Sequence, residues 1–220
     1  MVTRLFVIRH CQSAGNISGR FQGRFDAEIS GTGQKQLDLL SLRFRNQAFD
    51  AVYSSPLVRA RRTADAVNRF HGLPVRIEEQ LSEIDVGKLE NLLLPEIAER
   101  YPAVARCWDQ TPELCEFPGG ETMLAVYRRV NEAIDRIISE NEGKTVVVAT
   151  HGGVIRNLFA RVEFGCPEGI RKSAVFGNTG VSLLEAEDGR LAWKLVNDLS
   201  HLPEELSRPP MRYSFQSEAV

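Results

Sequence analysis

The sequence predicts an α/β fold of three layers, α/β/α, around a mostly parallel central sheet. Two unbroken apolar runs carry that prediction, Leu5-Phe6-Val7-Ile8 and Thr145-Val146-Val147-Val148-Ala149-Thr150. Runs of this length without alternation read as strands buried on both faces, as in parallel sheets covered by helices. A third run, Asp50-Ala51-Val52-Tyr53-Ser54-Ser55, adds the same grammar. After it comes Pro56 and a helical stretch, as His151-Gly152-Gly153 leads into one after the Thr145 run. Strand, tight turn and helix in that order make an α/β unit.

A chain of 220 residues with 43% apolar residues can bury a sizeable core. One domain is expected over residues 1–203, with a small cap insertion at about residues 89–118 and a polar tail over 204–220. A net charge of −2 argues against general nucleic-acid binding. No apolar leader and no membrane-length run are visible, so a cytoplasmic, membrane-free protein is expected. The four cysteines, Cys11, Cys107, Cys115 and Cys166, lack paired zinc spacing.

In chain order, the first strand ends in Arg9-His10. Residues Ser13 to Ile29 read as a polar loop holding Asn16, Arg20, Gln22, Arg24 and Asp26. A loop leaving a site-bearing strand is a natural place for ligand contacts. Ser30 is a plausible N-cap for a helix from Gly31 to about Arg45, with Leu37, Leu40 and Phe44 on its apolar face. The helix from Leu57 to Phe70 opens with Arg59, Arg61 and Arg62, cations that oppose the helix dipole. An anion held by Arg59 would resolve that conflict, while Arg61 and Arg62 fit a solvated face. Val75-Arg76-Ile77 reads as a short strand, and Glu83, Asp85 and Glu90 follow it. Four prolines break the stretch from Leu92 to Pro118 into short pieces. A long amphipathic helix then carries Leu124, Tyr127, Val130, Ile134, Ile137 and Ile138. Ala174-Val175-Phe176 and Val181-Ser182-Leu183-Leu184 read as strand segments, with Glu187-Asp188-Gly189 as a hairpin turn into Leu191 to Val196. His71 and His201 read as surface residues.

Several chemistries are excluded by pattern. No Walker phosphate loop and no Gly-x-Ser-x-Gly elbow occurs. A cysteine phosphatase needs an arginine closing the loop after its nucleophile. The corresponding positions after the four cysteines are Ile17, Glu113, Glu121 and Lys172. His10, His71, His151 and His201 lie too far apart for His–His metal spacing, so no metal and no cofactor are expected.

What remains is Arg9, His10, Arg59 and His151 at the carboxyl ends of three strands, the edge where open α/β sheets bind ligands. The glycine turn at Gly152 adds a helix N-terminus. That set suits a compact dianion such as a phosphoryl group. One histidine can attack phosphorus, and the other, protonated, can hold charge in the transition state.

Arg9-His10, Ser54-Ser55-Pro56-Leu57-Val58-Arg59-Ala60, Glu83 and His151-Gly152 resemble the motif set of the histidine phosphatase superfamily, the phosphoglycerate mutase-like fold. The resemblance runs through Phe117-Pro118-Gly119-Gly120-Glu121-Thr122 to Asn178-Thr179. It implies that His10 becomes phosphorylated, and that Arg9, Arg59 and His151 hold the phosphoryl oxygens with Asn16 assisting. It also implies that Glu83 protonates the leaving oxygen and then serves as base for water. Gln22, Gly152, Arg20 and Arg24 join them as candidate substrate contacts.

Two departures stand out. Cys11 occupies a position where the family usually has Gly or Ala, which raises the expectation of redox sensitivity. Leu89-Glu90-Asn91 stands where the family often shows Trp-Glu-Gly. The activity expected is metal-independent hydrolysis of a small phosphorylated metabolite. The alternatives are a cofactor-dependent phosphoglycerate mutase and a non-catalytic phosphate-binding protein. Ala14-Gly15 before Asn16 and the short segment from Glu83 to Pro118 favour hydrolysis. The oligomeric state is left open, a homodimer included.

Overall fold

The computed structural model describes residues 1–173 and 175–207. Six strands form one sheet: β1 Thr3–Arg9, β2 Ala51–Ser54, β3 Val75–Ile77, β4 Thr145–Thr150, β5 Val181–Glu187 and β6 Arg190–Asp198. Their order is β3-β2-β4-β1-β5-β6. The β3–β2, β2–β4 and β4–β1 pairs are parallel, while β5 and β6 add an antiparallel hairpin beside β1. The sheet is therefore mostly parallel, as the apolar runs predict.

Alternate residues of the central strands feed two separate cores. Leu5, Val7, Ala51, Tyr53, Val146 and Val148 face one side. Ile8, Val52, Val147 and Ala149 face the other. Both faces are covered, which is why these strands carry no alternation.

Helices α2 Gly31–Phe44 and α3 Val58–Asn68 cover one face, contributing Leu40, Phe44, Ala64 and Val67. Ser30 caps α2 as expected, its hydroxyl accepting from Gly33 N at 2.9 Å. Helices α6 Met123–Glu140 and α7 Gly152–Phe164 cover the other face through Val126, Val130, Ile134, Ile155 and Leu158. The expected loop after β1 contains one short helix, α1 Ala14–Ser18. The proline-broken insertion forms α4 Leu94–Arg100 and α5 Pro102–Gln110, with prolines in their first turns where no N–H is needed. It leans on the α6/α7 side through Ile97, Ala105, Cys115 and Phe117, and Glu113 pairs with Arg171.

Four expectations need correction. Of the strand expected at Ala174–Phe176, Ala174 lies outside the described residues, and Val175 and Phe176 are irregular. The chain there is turning toward β5, tied by Gly177 N to Asn197 Oδ1 at 2.8 Å and by Thr179 N to Arg9 O at 3.1 Å. The polar stretch from Pro203 onward reads in sequence as a fraying end, but its first residues are ordered. Helix α8 Glu204–Ser207 is held by Gln36 Nε2 donating to Leu206 O at 2.9 Å, and residues 208–220 lie outside the described residues.

The third and fourth corrections concern histidines. His71 is half-buried, its ring tilted against Phe49 with centroids 4.1 Å apart and its Nε2 paired with Phe44 O. His201 is also half-buried, wedged between Arg43 and Thr179 Oγ1. In both cases the flat face of the ring packs on protein while a ring nitrogen meets a polar partner, as amphipathic side chains do. No described helix is long and apolar enough to cross a membrane.

Candidate active site

The parallel pairing β2–β4–β1 brings three strand ends to one edge. His10 follows β1, Ser55 follows β2 and His151 follows β4. The His10 and His151 rings stand with centroids 5.1 Å apart. Arg9, the last residue of β1, and Arg59, in the first turn of α3, complete the group. His151 is fully buried, Arg59 is 1% exposed, His10 3% and Arg9 5%. Two guanidiniums thus lie beside two imidazoles out of bulk water, where electrostatic interactions strengthen.

Backbone contacts fix each group. His10 Nδ1 lies 2.7 Å from the Cys11 carbonyl, which can only accept. The proton therefore sits on Nδ1, and Nε2 carries the lone pair. Burial first, then Arg59 and Arg9, presses the His10 pKa well below the usual imidazole value, so the ring is neutral and nucleophilic. Asn178 Nδ2 donates to His10 O at 3.0 Å, and Thr179 N donates to both Arg9 O and His10 O. Thr179 has φ +55°, rare for a β-branched residue. Strain of this kind persists where surrounding contacts over-determine it.

Arg59 donates to Phe25 O at 2.9 Å and Gly23 O at 2.7 Å, with Asp26 Oδ1 at 3.9 Å. The acid missing from the start of α3 comes from the loop: both Asp26 oxygens lie 3.0 Å from Val58 N. Arg61 and Arg62 are exposed, as expected. Arg9 donates to Phe176 O.

His151 is the N-cap of α7, and its Nε2 pairs with Ser55 Oγ at 2.7 Å. Its Nδ1 is buried and finds no hydrogen-bond partner among the described residues. Burial, then Arg59, His10 and Arg9, lowers its pKa well below the usual value. In the unliganded pocket the neutral form of His151 is therefore favoured. An arriving dianion acts in the opposite sense and favours its protonation.

Glu83 comes from the segment after β3. Its Oε2 accepts from Gly153 N at 3.1 Å, and its Oε1 from Ile84 N at 3.0 Å. The glycines opening α7 permit close approach. A Cβ on Gly153 would lie 2.3 Å from Glu83 Oε1, and one on Gly152 would lie 3.4 Å from Arg9 Nε.

The loop candidates divide. Asn16 Oδ1 accepts from Ser13 N and Ser13 Oγ, each at 3.1 Å, and lies 3.4 Å from Asn178 Nδ2. Gln22 Oε1 accepts from Ser13 Oγ at 2.9 Å, while its Nε2 is buried with no partner among the described residues. Asn16 and Gln22 thus meet at Ser13, beside the His10 support. Arg20 donates to Asn91 O at 2.7 Å, and Arg24 stands 3.7 Å from both Asp85 and Glu121. Those two cations are engaged by the loop and its neighbours.

Cys11 is fully buried, and burial pushes its thiol up to about 11. A buried, protonated thiol is a poor target for oxidation, so the expected redox sensitivity is not supported. Among the described residues no three His, Cys, Asp or Glu side chains gather as metal ligands.

Sequence reading missed Ser55, Thr63 and Glu90 as structural partners of the site. Thr63 Oγ1 accepts from Cys11 N at 3.0 Å and donates to Arg59 O at 2.8 Å. Glu90 accepts from Gly23 N and Arg24 N, each at 2.8 Å, and so fixes the loop whose carbonyls hold Arg59. Ser55 lies inside the motif quoted above, one residue before its proline, and that adjacency was its only signal.

The model of the histidine phosphatase superfamily (branch 1) matches residues 5–199. Phosphoserine phosphatase 1 of Hydrogenobacter thermophilus is 31% identical over 212 residues, spanning 92% of this chain and 96% of that protein. A metal-independent phosphoserine phosphatase of Arabidopsis thaliana is 30% identical, spanning 91% and 84% respectively. Among solved structures, Bacillus stearothermophilus YhfR superposes with a TM-score of 0.86 at 29% identity, covering 90% of this chain and 98% of that one. The pocket built on Arg9, His10, Arg59 and His151 therefore sits in a chain that belongs to branch 1 of the histidine phosphatase superfamily and is a phosphomonoesterase.

Proposed function

We propose that the chain hydrolyses a small, carboxylate-bearing phosphomonoester of the phosphoserine kind, with His10 as nucleophile and Glu83 as proton donor. The observation that carries this reading is the His10 tautomer. Nδ1–H is spent on the Cys11 carbonyl, so the Nε2 lone pair is available in a pocket holding Arg9, Arg59 and His151. The phosphoserine preference is taken from the relatives named above.

In the first half-reaction Nε2 of His10 attacks phosphorus. The P–N bond forms as the P–O bond to the leaving group breaks, and that oxygen takes its proton from Glu83. Arg9 and Arg59 hold charge on the equatorial oxygens, and His151 donates to them once the dianion has raised its proton affinity. In the second half-reaction the Glu83 carboxylate takes a proton from water. The water oxygen bonds to phosphorus and the P–N bond breaks, which releases inorganic phosphate and restores His10.

A mutase must hold a second anionic group while its intermediate waits. Arg20 and Arg24 are the loop cations for that task, and both have partners in this chain. Hydrolysis is thus the favoured outcome. The test is a screen of phosphorylated metabolites that follows phosphate release and interconversion of 3- and 2-phosphoglycerate together. Phosphate release, fastest from phosphoserine or another carboxylate-bearing ester, is expected. Interconversion dependent on 2,3-bisphosphoglycerate, with negligible phosphate release, would overturn the reading.

A further inference from the structure

Glu83 sits on a weakly braced stretch of chain. It lies between two short 3₁₀ turns, Glu79–Leu81 and Gly87–Leu89, and no strand ladder holds it. A general acid must nevertheless be placed to a fraction of an ångström, since a misplacement of about 1 Å can cost about a hundredfold in rate. Part of the placement comes from behind, where Thr150 Oγ1 donates to Leu81 O at 2.7 Å. The Glu83 carboxyl itself accepts from Gly153 N and Ile84 N, and the backbone that carries it is held from the front by one side chain of α6.

Arg129 spreads its guanidinium over this segment. NH1 donates to Gln80 O at 2.6 Å and Ser82 O at 2.9 Å, and NH2 donates to Glu83 O at 3.2 Å. Nε and NH2 donate to the two oxygens of Glu121 at 2.7 and 3.0 Å. Glu121 Oε2 then accepts from Asp85 N at 2.9 Å. The carbonyls of residues 80, 82 and 83 and the amide of residue 85 are thus held by one ion pair, which brackets Glu83 from both sides. Burial works against the charged form of Glu121, but Arg129 and the Asp85 amide outweigh it and hold its pKa below the ordinary carboxylate value.

We propose that Arg129, paired with Glu121, is a positioning residue that aims the Glu83 carboxyl at the leaving-group oxygen. The planar fork is what the task requires; a lysine ammonium cannot span three carbonyls and a carboxylate. The phosphoryl-holding groups are anchored elsewhere, on the ends of β1 and β4 and on α3, so loosening this segment leaves them in place. The proposal rests on the reading of Glu83 as proton donor.

The experiment compares phosphoserine, whose alkoxide needs a proton, with p-nitrophenyl phosphate, whose phenolate hardly does. Arg129→Gln is expected to lower kcat on phosphoserine by about tenfold or more and to change turnover of p-nitrophenyl phosphate little. Arg129→Lys should keep the charge and still show the defect. In a Glu83→Gln background, Arg129→Gln should add almost nothing, since both act on one proton transfer. If Arg129→Gln does not fold, Glu121→Gln takes its place with the same expected signature. Equal slowing of both substrates by the Arg129 or Glu121 variants, while Glu83→Gln alone slows phosphoserine selectively, would overturn the proposal. If Glu83→Gln itself slows both equally, the reading of Glu83 fails and the proposal falls with it.

Discussion

At the scale of single residues, the site depends on histidines kept neutral by their surroundings. Burial and neighbouring cations press His10 and His151 well below 6.5, and burial with Arg43 takes His201 down to about 4. In the unfolded chain these rings titrate near 6.5. Between the folded and unfolded values the unfolded state binds protons that the folded state refuses, so stability falls as the pH drops below about 6.5. Each histidine contributes a slope of up to about 1.4 kcal/mol per pH unit. Denaturant melts in phosphate-free buffer, run from about pH 7.5 down to about 5, measure the loss. A midpoint constant over that range would contradict neutral burial of these rings. Cys11 carries the opposite lesson. Beside the nucleophile its sequence position suggested oxidation, but reactivity follows thiolate character and access, and here burial removes both.

At the scale of elements, Arg9, His10 and His151 arrive at strand ends and Arg59 on a helix, while much of the alignment comes from irregular chain. Glu90 and Asn91 show this. Asn91 has φ +61°, the left-handed conformation that suits the glycine often found at this point of the family. Asparagine is the residue after glycine that tolerates it best. Its carbonyl receives Arg20 and its N–H reaches Phe21 O, so the loop after β1 and the Glu90 segment are laced together. Asn91→Gly is expected to leave stability nearly unchanged. Asn91→Ala should cost about 1–2 kcal/mol, because a Cβ without the asparagine amide pays the full left-handed penalty. Urea unfolding of the two variants decides this, and an alanine variant as stable as the glycine one would argue that the loop relaxes out of that conformation.

The legibility of the sequence divides along the same line. The strands β1, β2 and β4, the long helices and the motif residues at the strand ends were readable, because burial on two faces and helical spacing leave local patterns. The Arg129–Glu121 clamp was not. Arg129 looks like any helix-surface arginine, and its partners at residues 80–85 lie far from it in sequence. Val175 and Phe176 misled for the converse reason: their β-branched and aromatic character was real, but the chain needed them to turn toward Thr179.

At the scale of the whole molecule, the fold gathers two guanidiniums beside two histidines at one sheet edge, and the guanidiniums, joined by His151 once a bound dianion favours its protonation, supply the positive charge that a metal provides in other phosphatases. Phosphatase activity is therefore expected to persist after exhaustive EDTA treatment and desalting. Loss of activity restored by one particular divalent cation would contradict that account. Inorganic phosphate should also raise the melting temperature, since a dianion that binds only the folded pocket stabilises it by mass action.

The central claim is that the reaction passes through phosphate bonded to His10. Rapid acid-free quenching during turnover of a phosphorus-32-labelled ester, followed by peptide mapping, tests it most directly. The expected result is a base-stable, acid-labile label on the peptide containing His10, formed within one turnover and absent from His10→Ala. A His10→Ala chain that turns over near the wild-type rate, or a label found on any other residue, would contradict it.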